Sequence, residues 1–133
     1  MFGKNVKPNN RIDSLIGAGT VIEGNISFTG GLRIDGEVRG NVKGTGEEPA
    51  TLVISEHAII HGEVNASHLV INGSVNGPVH SSNFLELQAR ARVTGDVEYS
   101  TLEMQLGAIV QGRLVHEATA AAKTVELKLA SSH

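Results

Sequence analysis

From residue 12 to about residue 116 the chain alternates apolar and polar side chains in short runs, each run closing on a glycine, an asparagine or a charged residue. One run recurs six times, with an apolar residue two places before a glycine and another two places after it. It reads Ile22-Gly24-Ile26, Val38-Gly40-Val42, Ile60-Gly62-Val64, Val75-Gly77-Val79, Val93-Gly95-Val97 and Val110-Gly112-Leu114. A spacing of two is the period of a β-strand with one face buried. Four places before each glycine stands a small residue: Thr20, Gly36, Ala58, Gly73, Ala91 and Ala108. Most units open on a second pattern, Leu32, Leu52, Leu69, Leu85 and Leu102, each followed two places later by Ile34, Ile54, Ile71, Leu87 or Met104.

The six glycines are separated by 16, 22, 15, 18 and 17 residues. Units this short cannot be pairs of helices, whose repeats run to thirty residues or more. They predict an all-β fold, a single-stranded parallel β-helix of about six coils, in which the inward Val, Ile and Leu stack as continuous ladders. At roughly 4.8 Å per layer the rod is about 25–30 Å long. The glycines Gly24, Gly40, Gly62, Gly77, Gly95 and Gly112 fall where each coil bends, so a missing Cβ there permits unusual backbone geometry. The one long interval contains residues 43–51, KGTGEEPAT, read as an exposed loop that leaves the stack intact. Residues 1–11 are polar and expected to be a flexible tail, residues 12–116 form the β-helix, and residues 117–133 combine helix-favouring EATAAAK with alternating Val125, Leu127 and Leu129. That last segment is expected to add a partial strand and then end in disorder.

Composition narrows the function. The chain has 133 residues, enough for one domain, with a net charge of −3 and acidic and basic residues interspersed. Three Phe, one Tyr and no Trp leave little on which bases could stack, and no basic patch is visible, so nucleic acid is not an expected partner. The absence of cysteine removes disulfides, thiolate catalysis and cysteine-bound zinc. No run is long enough to span a membrane and no secretory signal follows Met1, which suits a cytoplasmic protein. None of the glycines opens a helix as a phosphate cradle, so no nucleotide or other cofactor is expected.

Two catalytic alternatives stand against a structural role, both built as closed trimers. IGAGTVIEG, residues 16–24, reads like a hexapeptide-repeat acyltransferase, and Ile16, Ile22, Phe28 and Ile34 keep a spacing of six, but that phase then breaks. Six histidines raise a metal-dependent, carbonic-anhydrase-like enzyme; His57, His61, His68, His80 and His116 scatter over different columns, with His57 and His61 sharing one outward strand face. Three or four converging ligands are needed for a metal site, and none is expected here. No catalytic residue is assigned. A monomeric solenoid adaptor that binds peptides on a flat face is a further alternative.

A solenoid leaves a flat layer of unpaired backbone groups and a slice of core at each end, and soluble repeat proteins cover these with polar caps. No convincing cap is legible. The first coil offers Leu15, Ile16, Ile22 and Ile26, and the last Val110 and Leu114. These are the residues expected to join one copy to the next, with no nucleotide needed.

The succession GTVIEGNI, GEVRGNV, AIIHGEV, ARVTGDV and AIVQGRL resembles the bactofilins, bacterial polymer-forming cytoskeletal proteins. The resemblance implies a right-handed β-helix with a triangular core and nucleotide-free filaments joined through terminal coils. It also implies a scaffold on the inner face of the cytoplasmic membrane that recruits cell-wall synthases or hydrolases and so influences cell shape. MFGK at the start is similar to the family's short membrane-targeting signal, here Met1, Phe2 and Lys4, with Lys7 behind. Apolar side chains entering the lipid boundary beside lysines facing anionic headgroups would supply the attraction, at about 1 kcal/mol per basic residue.

Overall fold

The computed structural model describes residues 12–117, and every regular element among them is a strand. In chain order these are β1 (Ser14–Ile16), β2 (Val21–Glu23), β3 (Ile26–Phe28), β4 (Gly31–Ile34), β5 (Glu37–Arg39), β6 (Val42–Gly44), β7 (Thr51–Ile54) and β8 (Ile59–His61). They continue with β9 (Val64–Ile71), β10 (Ser74–Asn76), β11 (Val79–Leu87), β12 (Arg92–Thr94), β13 (Val97–Tyr99), β14 (Leu102–Met104), β15 (Ile109–Gln111) and β16 (Leu114–His116). The flexible tail and the last partial strand expected from the sequence, with Met1, Phe2, Lys4, Lys7, Val125, Leu127 and Leu129, lie outside the described residues.

All pairings are parallel, and each joins a strand to its counterpart one coil on. Three strands make a coil and six coils make the rod, so the solenoid is three-sided. The first face carries the Leu-x-Ile motif, with Leu32, Leu52, Leu69, Leu85 and Leu102 in register. The second face is a six-stranded sheet in the order β15-β12-β10-β8-β5-β2 and carries the apolar residue that precedes each column glycine. The third begins two residues after that glycine, with Ile26, Val42, Val64, Val79, Val97 and Leu114 stacked. β9 and β11 run through the corner between the third face and the first, so each serves two coils, and β11 absorbs a register shift between Ser81 and Phe84.

Burial follows the ladders. Ile34, Leu52, Ile54, Ile60, Leu69, Ile71, Leu85 and Leu87 have no exposed surface, and each such side chain stabilises the fold by about 1.5–3 kcal/mol relative to leaving it in water. A fourth inward column runs Phe28, Gly44, Ala66, Ser81, Tyr99 and His116. Its middle is crowded: a Cβ on Gly44 would lie 2.6 Å from the Ala50 Cβ and 3.2 Å from the Phe28 ring. Ser81 is fully buried, its hydroxyl 3.0 Å from the Ser67 carbonyl oxygen and 2.9 Å from that of Phe84. At the far end Tyr99 and His116 face each other with ring centroids 5.6 Å apart.

The glycine column has a specific cause. A Cβ on Gly40 would fall on the carbonyl oxygen of Gly24, and the same holds for Gly62 on Gly40, Gly77 on Gly62, Gly95 on Gly77 and Gly112 on Gly95. Each glycine is therefore required by the glycine one coil below. Gly24 has open space because no coil lies beneath it among the described residues. The residue after the glycine has an amide that the strand ladder does not use, and side chains accept it. Asn25 Oδ1 takes the Asn41 N–H at 2.9 Å, Asn41 Oδ1 takes that of Glu63 at 2.9 Å, and Asp96 Oδ1 takes that of Arg113 at 3.0 Å. At the fourth coil the position is Pro78, which has no N–H to satisfy.

Three sequence expectations need adjusting. The loop read as residues 43–51 is shorter, because Lys43 and Gly44 complete β6 and Thr51 opens β7; the segment between them turns inward enough to bury Ala50. His57 is not on a strand with His61. It lies in the corner before β8, and only His61 is in the strand. Leu15 is not part of the terminal core slice. Its partner is Arg33 in the outward column, and it stands 61% exposed on the flank of the rod. Ser14 occupies the place that Leu32 holds in the next coil, and with a period of two a one-residue offset turns a side chain from core to solvent.

Candidate assembly surfaces and polar clusters

The two ends of the rod differ from its flanks. At the lower end Ile16, Ile22, Ile26 and Phe28 are half-buried, packed on one side by the coil above and open on the other. At the upper end Leu102 and Val110 are half-buried, while Met104 is 43% and Leu114 45% exposed although both continue fully buried ladders. No described residue covers either slice. Thus Ile16, Ile22, Ile26, Val110 and Leu114 stand where the sequence places them, and the structure adds Phe28, Leu102 and Met104. Met104 was legible as the last member of the Ile34-Ile54-Ile71-Leu87 ladder.

The flanks are polar and ion-paired. Arg39 on β5 donates to Glu37 at 3.0 Å and reaches Glu23, one coil down, at 3.1 Å; His61 lies 3.2 Å from Glu37 from the coil above. Hydrogen bonding from Arg39 holds the Glu37 carboxyl below its ordinary range. Arg113 does the same for Asp96, chiefly through its backbone N–H. These groups are exposed, so they tune the surface more than they stabilise the fold. Val21, Ile59 and Ile109 point outward from the second face but are separated along the column by Glu37, Ser74 and Arg92. An open groove along the corner between the first and second faces is lined by Arg33, Asp35, Ser55, Glu56 and His57, with Arg33 paired to Asp35 at 3.0 Å.

Among the described residues the histidines do not gather. His57 contacts Glu56, His61 contacts Glu37, His116 packs on Tyr99, and His68 is half-buried in β9. His80 meets two carboxylates: its Nε2 is 2.8 Å from Glu117 and 3.9 Å from Glu98. The sequence set His80 apart from the other histidines and did not single out Glu98 or Glu117, although His80 and Glu98 each stand three places after a column glycine.

A family profile for bactofilins, described as polymer-forming cytoskeletal, matches residues 14–115, the span of the coils. The chain belongs to the bactofilin family. Like the bactofilin fold, it is a parallel solenoid of about six turns. This bactofilin is 26% identical over 102 residues to bactofilin BacO of Myxococcus xanthus (strain DK1622), an overlap of 77% of the chain and 78% of BacO. It is 27% identical over 97 residues to bactofilin BacP of the same organism, covering 71% of the chain and 40% of BacP. No solved structure matches it. No helix among the described residues is long and apolar enough to cross a membrane.

Proposed function

We propose that this bactofilin is a structural scaffold that adds copies of itself end to end, without nucleotide, to make filaments. One observation carries the reading. Among the described residues the inward apolar ladders stop uncovered at both ends of the rod: Ile16, Ile22, Ile26 and Phe28 are half-buried at one, and Leu102 and Val110 are half-buried beside exposed Met104 and Leu114 at the other. Exposed apolar surface concentrated beside unpaired strand edges favours continuing the ladders and the core with another copy. The family description, polymer-forming cytoskeletal, supports the same direction. The role is structural, with no catalytic step.

Filaments should appear in negative-stain micrographs and as fast-sedimenting material with no nucleotide added. Leu114→Asp places a charge on the upper slice at a residue already partly exposed, so the coils should remain folded while the filaments are lost. A wild-type protein that stays monomeric at micromolar concentration overturns the reading.

The proposal extends to location. Met1, Phe2, Lys4 and Lys7 would hold the filament to anionic lipid on the inner face of the cytoplasmic membrane. One weak tail per subunit becomes firm attachment when many are displayed together. There the filament would position cell-wall synthases or hydrolases and act on cell shape. Phe2→Glu should abolish co-sedimentation with anionic vesicles while leaving filaments intact; unchanged lipid binding disposes of this part.

A further inference from the structure

We infer that His80, Glu98 and Glu117 form a binding site for a divalent transition-metal ion such as Zn²⁺. Their ligand atoms, one imidazole nitrogen and two carboxylate oxygens, all lie within 4.8 Å of one another. Tetrahedral zinc with bonds near 2.0 Å holds its ligand atoms roughly 3.3 Å apart. The observed separations of 2.8 Å and 3.9 Å from His80 Nε2 fall on either side of that value. Small side-chain rotations therefore suffice, with no change in the coils.

The surrounding charge points the same way. Three other surface carboxylates that come close to another coil meet an arginine: Glu23 has Arg39, Glu56 has Arg90, Asp96 has Arg113. Glu98 and Glu117 make no ion pair with Arg or Lys among the described residues, and one imidazole is all that stands between two negative charges. A divalent cation removes that repulsion. The imidazole ligand selects zinc or a similar metal over calcium or magnesium, which take oxygen. Nδ1 of His80 is buried and makes no hydrogen bond, so Nε2 is the nitrogen offered to an ion.

The backbone prepares the site. His80 and Glu98 are register partners on adjacent coils, in β11 and β13. Glu117 follows the last strand, and its N–H donates to the Tyr99 carbonyl oxygen at 2.6 Å. The three ligands thus come from the fourth coil, the fifth, and the point where the chain leaves the sixth. A bound ion ties the last coil, which has no coil above it among the described residues, to the two beneath. Three protein ligands leave a fourth position for water. The inference is independent of the assembly reading.

The test is a calorimetric titration of the full chain with Zn²⁺, repeated with Co²⁺ to read the visible absorption of a tetrahedral ion. One ion per chain is expected, with binding lost or weakened at least tenfold in His80→Ala and in Glu117→Gln, and retained in Glu103→Gln, an exposed acid of the same end. Hydrogen exchange in residues 114–116 should slow when the ion is present. Absence of binding by the wild-type chain overturns the inference. So does binding that survives both ligand substitutions, which would place the ion at other histidines. Because both ligand positions lie on the outer surface, a folding failure in one variant leaves the other to decide.

Discussion

Replacing Gly62 by alanine is expected to cost more than about 4 kcal/mol, the range reserved for changes the native state cannot absorb, and to leave most of the protein unfolded or insoluble. The added methyl would occupy the place of the Gly40 carbonyl oxygen and lie 2.6 Å from its carbon and 2.9 Å from Asn41 Oδ1. Neither neighbour can move: the oxygen belongs to the coil below, and Asn41 is accepting the Glu63 amide. Relief would require separating two coils that share hydrogen bonds on three faces. Gly24→Ala is the internal control. It meets nothing within 4 Å, so it bears only the strain of a side chain at φ 133°, about 1–2 kcal/mol. Urea unfolding of the two variants, compared with wild type under conditions that keep the chain unassembled, should separate them clearly. Equal losses would mean that the column glycines serve backbone freedom alone and that coil contact plays no part.

Ile71→Ala is expected to lower stability by about 3–4 kcal/mol, because a buried aliphatic cut back to a methyl loses both its transfer energy and the packing around the cavity left behind. Ile71 has no exposed surface and sits between Ile54 and Leu87 in its ladder. Coils fixed at strand spacing above and below cannot collapse into the space. Met104→Ala, in the same ladder but at its open end, should cost less than about 1 kcal/mol in the unassembled chain, since Met104 is already 43% exposed. The measurement is the shift in urea midpoint with the slope unchanged. A flat profile along the ladder would show that the ends are as well packed as the middle, and would remove the basis for treating them as joining surfaces.

The contrast between these pairs also explains which features were legible in the sequence. The coil repeat was visible because burial in a strand has a period of two and the columns of Leu, Ile, Val and Gly return at nearly constant intervals. Stacking then requires like residues over like, so Leu52, Leu69 and Leu85 could be aligned from spacing alone, as could the inward partners of every column glycine. The apolar slices at Ile22 and Leu114 followed from the same alignment, because ladders that stop must stop somewhere. The reason for the glycines was visible only as a bend, whereas the stacked coils place a carbonyl oxygen where each Cβ would be.

What the tertiary structure alone decided were matters of phase and reach. Leu15 turned to the flank because the first strand starts at Ser14 and register is set by pairing with β4, a relation between segments rather than within one. The 43–51 loop shrank because Ala50 and Thr51 found burial against neighbouring coils. His80, Glu98 and Glu117 came together because long side chains cross from one coil to the next and beyond, and the chain's exit after β16 brings Glu117 back over β13 and β11. The sequence by itself determined a parallel stack of about six coils, since backbone pairing and apolar burial repeat in every layer, and its three-sided shape entered only as what the family resemblance implied. Which outward side chains meet depends on small offsets between layers, and those exist only once the coils are stacked.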